Sequence, residues 1–237
     1  MSGSVANRER MIVALDMPSA EHARKLVDTL GTRVSFYKIG LELVMSGGLD
    51  LATDLIASGK RVFLDMKFLD ISNTVERAVA RVAETGISFL TIHAMDRKTL
   101  RAAVAGADGS RLKLLGVTVL TSLDESDLEE QGVTGLSPSE LVLRRVELVQ
   151  EAGLDGVVAS GLEAAAVRAM AGPGLLVVTP GIRLTGDFKD DQVRITTADA
   201  AIGAGADYLV IGRPITEADD PAAAADMFAG LISQALR

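Results

Sequence analysis

Short apolar runs alternate with longer amphipathic segments along almost the whole chain. The runs fall at residues 11–16, 34–40, 61–67, 89–94, 112–120, 156–160, 175–180 and 208–212. Each is short and apolar at consecutive positions, as a strand buried on both faces must be. Helix-like segments lie between them, and several end on a glycine a few residues before the next strand: Gly31, Gly59, Gly86, Gly153 and Gly205. A glycine in left-handed conformation at that position stops a helix. Eight such units in 237 residues predict an α/β chain folded as a closed (β/α)8 TIM barrel. One domain then spans residues 1–237, with residues 1–10 as an N-terminal extension. The competing open sheet is disfavoured because Asp16-Met17-Pro18-Ser19 follows the first run, where a dinucleotide fold would place Gly-x-Gly-x-x-Gly. The longest interval, 122–155, holds an acidic stretch at 124–130 and a helix near 139–151, and no linker divides the chain.

Polar chemistry collects where the apolar runs end. Asp16, Lys38, Asp65 with Lys67, His93, Thr121 with Ser122, Pro180 to Arg183, and Gly212 with Arg213 all stand at the carboxyl ends of strands. In a barrel these ends share one rim, and active sites of this fold lie there.

Composition narrows what that rim can do. Hydrophobic residues make up 48% and aromatics only 3%, so the core must be aliphatic. A net charge of -8 argues against the broad basic surface of a nucleic-acid binder, although a few placed cations can still hold an anionic small molecule. With no cysteine there is no disulfide framework and no thiolate metal site. The polar N-terminus lacks an apolar signal core, and no run reaches membrane-spanning length, so no membrane association and a cytoplasmic location are expected.

The densest chemistry lies at 65–74, Asp65-Met66-Lys67-Phe68-Leu69-Asp70-Ile71-Ser72-Asn73-Thr74, between a buried strand and a helix. Alternation along the strand points Asp65 and Lys67 the same way, with Phe63 below them. Desolvating a carboxylate and an ammonium is costly, so this pair is either a structural ion pair, with Asp70 capping the helix, or a site. Other positions also carry two readings. Lys38 either snorkels to solvent or joins the site, and Asp16 either caps a helix or binds a hydroxyl. Arg213 after Gly212 either braces the barrel mouth or forks onto a phosphate, since loops after the seventh and eighth strands often bind phosphate in this fold. The stretch 184–191 is long for a βα connection and reads as a lid or a solvated loop. His22 belongs on a helix surface. His93 lacks a second histidine at ligand spacing, so no metal site is expected.

Assembled in this order, the residues resemble the orotidine 5′-monophosphate decarboxylase family, from Ile12 to about Arg213. The family's Asp-x-Lys-x-x-Asp-Ile-x-x-Thr block stands as Asp65, Lys67, Asp70, Ile71 and Thr74. Thr179-Pro180-Gly181-Ile182-Arg183, Gln192, Gly212-Arg213, Asp16, Lys38 and Leu120-Thr121-Ser122 strengthen the likeness. One departure is Met95-Asp96 after His93-Ala94, where many relatives carry a glycine pair.

The resemblance implies decarboxylation of orotidine 5′-monophosphate to uridine 5′-monophosphate in pyrimidine biosynthesis, without metal or cofactor. Lys67 would protonate C6, and Asp65 would face the substrate carboxylate. Lys38, Asp65, Lys67 and Asp70 would alternate in charge, with Asp70, Ile71 and Thr74 donated across a homodimer. Asp16, Lys38, Asp70 and Thr74 would hold the ribose, Thr121 and Ser122 the base. Gln192, Gly212 and Arg213 would hold the phosphate, with Pro180 and Arg183 in the same phosphate-side loop. Two rivals remain: a magnesium-dependent 3-keto-L-gulonate 6-phosphate decarboxylase or hexulose-phosphate enzyme, and a non-catalytic phosphate-binding barrel. Lys38 disfavours the first, whose members resemble one another in placing a glutamate there, because an ammonium repels a divalent cation. The charged block disfavours the second.

Overall fold

Eight strands formed from the apolar runs close on themselves: β1 (Met11–Ala14), β2 (Phe36–Gly40), β3 (Arg61–Phe68), β4 (Phe89–His93), β5 (Lys113–Val117), β6 (Gly156–Val158), β7 (Leu176–Thr179) and β8 (Tyr208–Ile211). In this computed structural model residues 7–184 and 195–237 are described. All neighbouring pairs are parallel, and β8 pairs with β1 through Met11↔Leu209, Ile12↔Val210 and Val13↔Ile211. The expected (β/α)8 barrel is the observed one.

The continuous apolar runs have a direct cause. Alternate residues such as Ile12, Phe36, Phe63, Phe89, Leu115 and Val178 fill the barrel interior. Their neighbours Val13, Tyr37, Val62, Leu64, Leu90 and Val177 pack outward under the helices. Both faces are dry, so both positions must be apolar. Although aromatics are few, four of them meet inside the barrel: Phe36, Phe63, Phe89 and Tyr208 make edge-to-face pairs with centroids 5.0 to 6.0 Å apart.

Helix signals behave as their chemistry requires. Ser137 caps Pro138–Ala152 in a reciprocal box with Glu140, proline opens the helix, and Gly153 ends it at φ 86°. The other four stop glycines also take positive φ. A further short helix, Glu125–Glu130, occupies the acidic stretch, capped by Asp124.

Several strands are shorter than their apolar runs, β1 ending at Ala14 and β6 at Val158, and the largest shortfall is at β5. The run 112–120 yields a strand only to Val117. Beyond it Val119 and Leu120 stay apolar because they line the cavity at the barrel mouth, not because they pair in the sheet. Part of the N-terminal extension is fastened down: Asn7–Arg10 form a 3-10 turn, and Arg10 donates to the Asp207 carbonyl at 3.2 Å. Residues 1–6 lie outside the described residues. No described helix is long and apolar enough to cross a membrane.

Candidate active site

A cavity of about 600 Å³ opens at the carboxyl ends of the strands. It collects the sequence-predicted Asp16, Lys38, Asp65, Lys67, Thr121, Ser122, Pro180, Arg183, Gly212 and Arg213. Gln192 and the candidate lid, apart from Leu184, lie outside the described residues. Among the described lining residues four cations face three carboxylates, Asp16, Asp65 and Glu217. An acidic protein thus presents a cavity with a cationic excess, which suits an anionic ligand.

Its floor is a row of alternating charges. Lys38 Nζ donates to Asp16 Oδ1 at 2.8 Å and Oδ2 at 3.1 Å, and lies 3.5 Å from Asp65 Oδ2. Lys67 Nζ donates to Asp65 Oδ1 at 2.9 Å. The snorkelling reading of Lys38 is thereby ruled out, since its side chain is only 9% exposed. Asp16 caps no helix; Ser19 does so for Ala20–Leu30. Gly40 makes room for the row, because a Cβ there would come within 2.7 Å of Asp16 Oδ1 and 3.1 Å of Lys38 Nζ. The sequence signal was a glycine two residues after a lysine at a strand end.

Burial pushes the Asp65 carboxyl toward protonation, but Lys38, Lys67 and the hydrogen bonds from Lys67 and Thr91 outweigh it and hold it below its ordinary range. Asp65 is therefore an anion wedged between two cations.

Lys67 is held in an uncommon backbone conformation, φ 50°, where it is the single non-glycine with positive φ among the described residues. Such a conformation costs on the order of 1–3 kcal/mol and persists only where the surroundings enforce it. Around it the β3–β4 register shifts, so simple alternation, expected along this strand, breaks between Leu64 and Phe68. Lys67 nonetheless faces Asp65 as anticipated, by way of the irregularity. Thr91, which sequence reasoning missed, lies opposite; its only signal was a hydroxyl inside the apolar strand Phe89–His93.

At the far wall Arg183 is buried, its Nη1 donating to the Ile182 carbonyl at 2.9 Å. Gly212 precedes Arg213, which opens the short helix Arg213–Thr216. Among the described residues a methyl at Gly212 would meet only Ala14 Cβ, at 3.7 Å, so crowding by them does not account for the glycine.

Asp70, Ile71 and Thr74 are not in this cavity. They are exposed, Ile71 to 73%, and Asp70 merely accepts from the Ile71 N–H at 2.6 Å. Ile71, not Asp70, occupies the N-cap position of Ser72–Ala83, and its side chain makes no cap bond. His22 is exposed on its helix, as expected. His93 is half-buried and does not line the cavity; burial, then Lys67 and Arg145, lower its pKa. The departure at Met95-Asp96 has a local reason, since Asp96 caps Arg97–Gly106 by accepting from Thr99 N at 2.9 Å. No group of three or more His, Asp or Glu converges to hold a metal among the described residues.

The profile described as the orotidine 5′-phosphate decarboxylase / HUMPS family matches residues 9–228. A protein of Afipia carboxidovorans named orotidine 5′-phosphate decarboxylase is 52% identical over 228 residues, 96% of each chain. One of Methylobacterium with the same name is 51% identical over 238 residues, 99% of this chain and all of the other. The crystal structure of the orotidine 5′-phosphate decarboxylase from Lactobacillus acidophilus superposes with a TM-score of 0.83 at 34% identity, covering 94% of this chain and 99% of that one. With a row of alternating charges at the mouth of the barrel and likeness along nearly its whole length, the chain belongs to the orotidine 5′-phosphate decarboxylase / HUMPS family.

Proposed function

We propose that this chain decarboxylates orotidine 5′-monophosphate to uridine 5′-monophosphate, in the cytoplasm, without metal or cofactor. The observation that carries the reading is Lys67, an ammonium fixed 2.9 Å from Asp65 on the cavity floor in a backbone conformation lysine rarely adopts. Loss of carbon dioxide from C6 leaves an electron pair in the ring plane, where no conjugated system accepts it. An ammonium beside that carbon stabilises the developing charge and then delivers its proton to C6. Asp65, facing the departing carboxylate, opposes the ground state more than the transition state.

The remaining residues bind. Asp16 and Lys38 take the ribose hydroxyls, Thr121 and Ser122 the base. Pro180, Arg183, Gln192, Gly212 and Arg213 take the phosphate side. Contacts remote from C6 supply binding energy that the reacting centre uses.

Asp70, Ile71 and Thr74 belong in this scheme to the site of a second copy, completing its ribose end in a two-fold dimer. Their exposure supports this, as do the exposed Leu41, Met45, Leu49, Leu69 and Met95, apolar groups on the segments that follow β2, β3 and β4.

Metal-dependent sugar-phosphate chemistry, as in the other branch of the family, is disfavoured because Lys38 Nζ lies between Asp16 and Asp65, where a divalent cation would need those carboxylates. The test is substrate loss with purified protein and excess chelator. The long-wavelength absorbance of orotidine 5′-monophosphate should fall under these conditions as the shorter-wavelength band of uridine 5′-monophosphate replaces it, and 3-keto-L-gulonate 6-phosphate with magnesium should persist. The opposite pattern, or no turnover of either, overturns the reading.

A further inference from the structure

The β3–β4 register departs from a regular ladder at one place. Phe63 pairs with Phe89 and Leu64 with Leu90, but the next partners are Phe68 and Ile92. Three residues of β3, Asp65, Met66 and Lys67, therefore stand opposite one residue of β4, Thr91. Thr91 is fully buried and does not line the cavity. Its Oγ1 donates to Asp65 Oδ1 at 2.9 Å and accepts from the Lys67 backbone N–H at 2.9 Å.

We propose that Thr91 is a positioning residue for the reaction, its one hydroxyl fixing both the Asp65 carboxylate and the left-handed backbone of Lys67. The geometry allows little else to do so. A hydroxyl both donates and accepts, and the two jobs here need one of each. The Lys67 N–H has left the strand ladder and finds its acceptor in Thr91. The same Asp65 oxygen that accepts from Thr91 accepts from Lys67 Nζ, so rotating the carboxylate would move the ammonium with it. Lys67 is thus held at both ends of its side chain, backbone and Nζ, through a residue two positions from the barrel mouth.

The inference rests on the proposed roles of Lys67 and Asp65, and the experiment separates the two. Thr91→Val keeps the volume and removes the hydroxyl. One hydrogen bond to a charged group is worth on the order of tenfold to a hundredfold. The Val variant should lose about that much in kcat, while its dissociation constant for uridine 5′-monophosphate stays within about threefold.

The pH profile supplies a readout that mere destabilisation does not move. Asp65 is faced by Lys38 from β2, Lys67 from β3 and Thr91 from β4, His93 at the end of β4 feels its charge, and Asp16, two residues beyond β1, reaches it through Lys38. Losing the Thr91 bond removes one of the influences that keep its carboxyl low, so the acidic limb of kcat/KM should move to higher pH. Thr91→Ser retains the hydroxyl and should recover kcat to within about threefold of the parent, even with a lowered Tm. If the Val variant does not fold, Thr91→Ala carries the same expectation.

A folded Val or Ala variant with parental kcat and pH profile overturns the proposal, as does a Ser variant as impaired as Val. Lys67→Ala serves as the control. Parental turnover in Thr91→Val beside an inactive Lys67→Ala defeats the positioning role alone; turnover in Lys67→Ala defeats the proton-donor reading beneath it.

Discussion

Strand β3 carries a cation at each end, and the protein treats the two in opposite ways. At the amino end, the Arg61 guanidinium lies 4.1 Å from the Phe36 ring centroid, 5.4 Å from Phe89 and 5.6 Å from Tyr208. At the carboxyl end, Lys67 is set against a carboxylate in a strained backbone, and Lys38 lies beside it on β2. Aromatic faces satisfy the guanidinium and close the barrel floor. Carboxylates around an ammonium do something different. Asp65 fixes the Lys67 ammonium at the lining of an open cavity. One end of the strand serves stability and the other, under the proposed function, chemistry, the division this fold makes between its two faces.

Substitutions sharpen this contrast. Within the supporting charges, Lys38→Met should have the largest effect, because Asp16 and Asp65 lose the cation between them. A fall in kcat/KM of about 10²- to 10³-fold is expected from removing one such electrostatic support, measured by steady-state kinetics. Arg61→Ala should invert the pattern. Thermal unfolding should lose roughly 1–2 kcal/mol, a drop in Tm of about 2–8 °C, while kcat/KM stays within about twofold.

The smallest effect concerns acid. The Asp65 carboxyl is held below its ordinary value, so the unfolded chain binds that proton more readily than the folded one. Its contribution to stability is complete above the unfolded value of about 4 and is lost as pH falls toward the folded one. Between pH 5 and pH 3, denaturant midpoints should therefore decline less steeply in Asp65→Asn than in the parent, by at most about 1.4 kcal/mol per pH unit. Parallel slopes would show that the carboxylate titrates alike in both states.

Much of this was legible in the chain itself. Strands buried on both faces write continuous apolar runs, and the stop glycines punctuate them, so barrel and rim follow from periodicity. The charged ends also announced themselves, since Lys38, Asp65 and Lys67 interrupt otherwise apolar strands. What stayed hidden is what sequence spacing cannot encode. The three-against-one register at Asp65–Lys67, the positive φ of Lys67 and the double role of Thr91 arise only when β3 meets β4. Likewise, Val119 and Leu120 carry the same apolar code whether they pair in a sheet or line a cavity. Asp70, Ile71 and Thr74 read as part of one block with Lys67, yet the chain turns them outward, away from its own cavity.

The proposed function rests on Lys67 as the acid that would deliver a proton to C6. The direct measurement is orotidine 5′-monophosphate turnover by Lys67→Ala, with uridine 5′-monophosphate binding measured on the same sample by calorimetry. Loss of the charge stabilisation and of the proton donor together should lower kcat by at least about 10⁴-fold. Binding should persist, because the proposed ribose and phosphate contacts are intact. Turnover within a factor of about ten of the parent, in a variant that still binds nucleotide, would contradict the account.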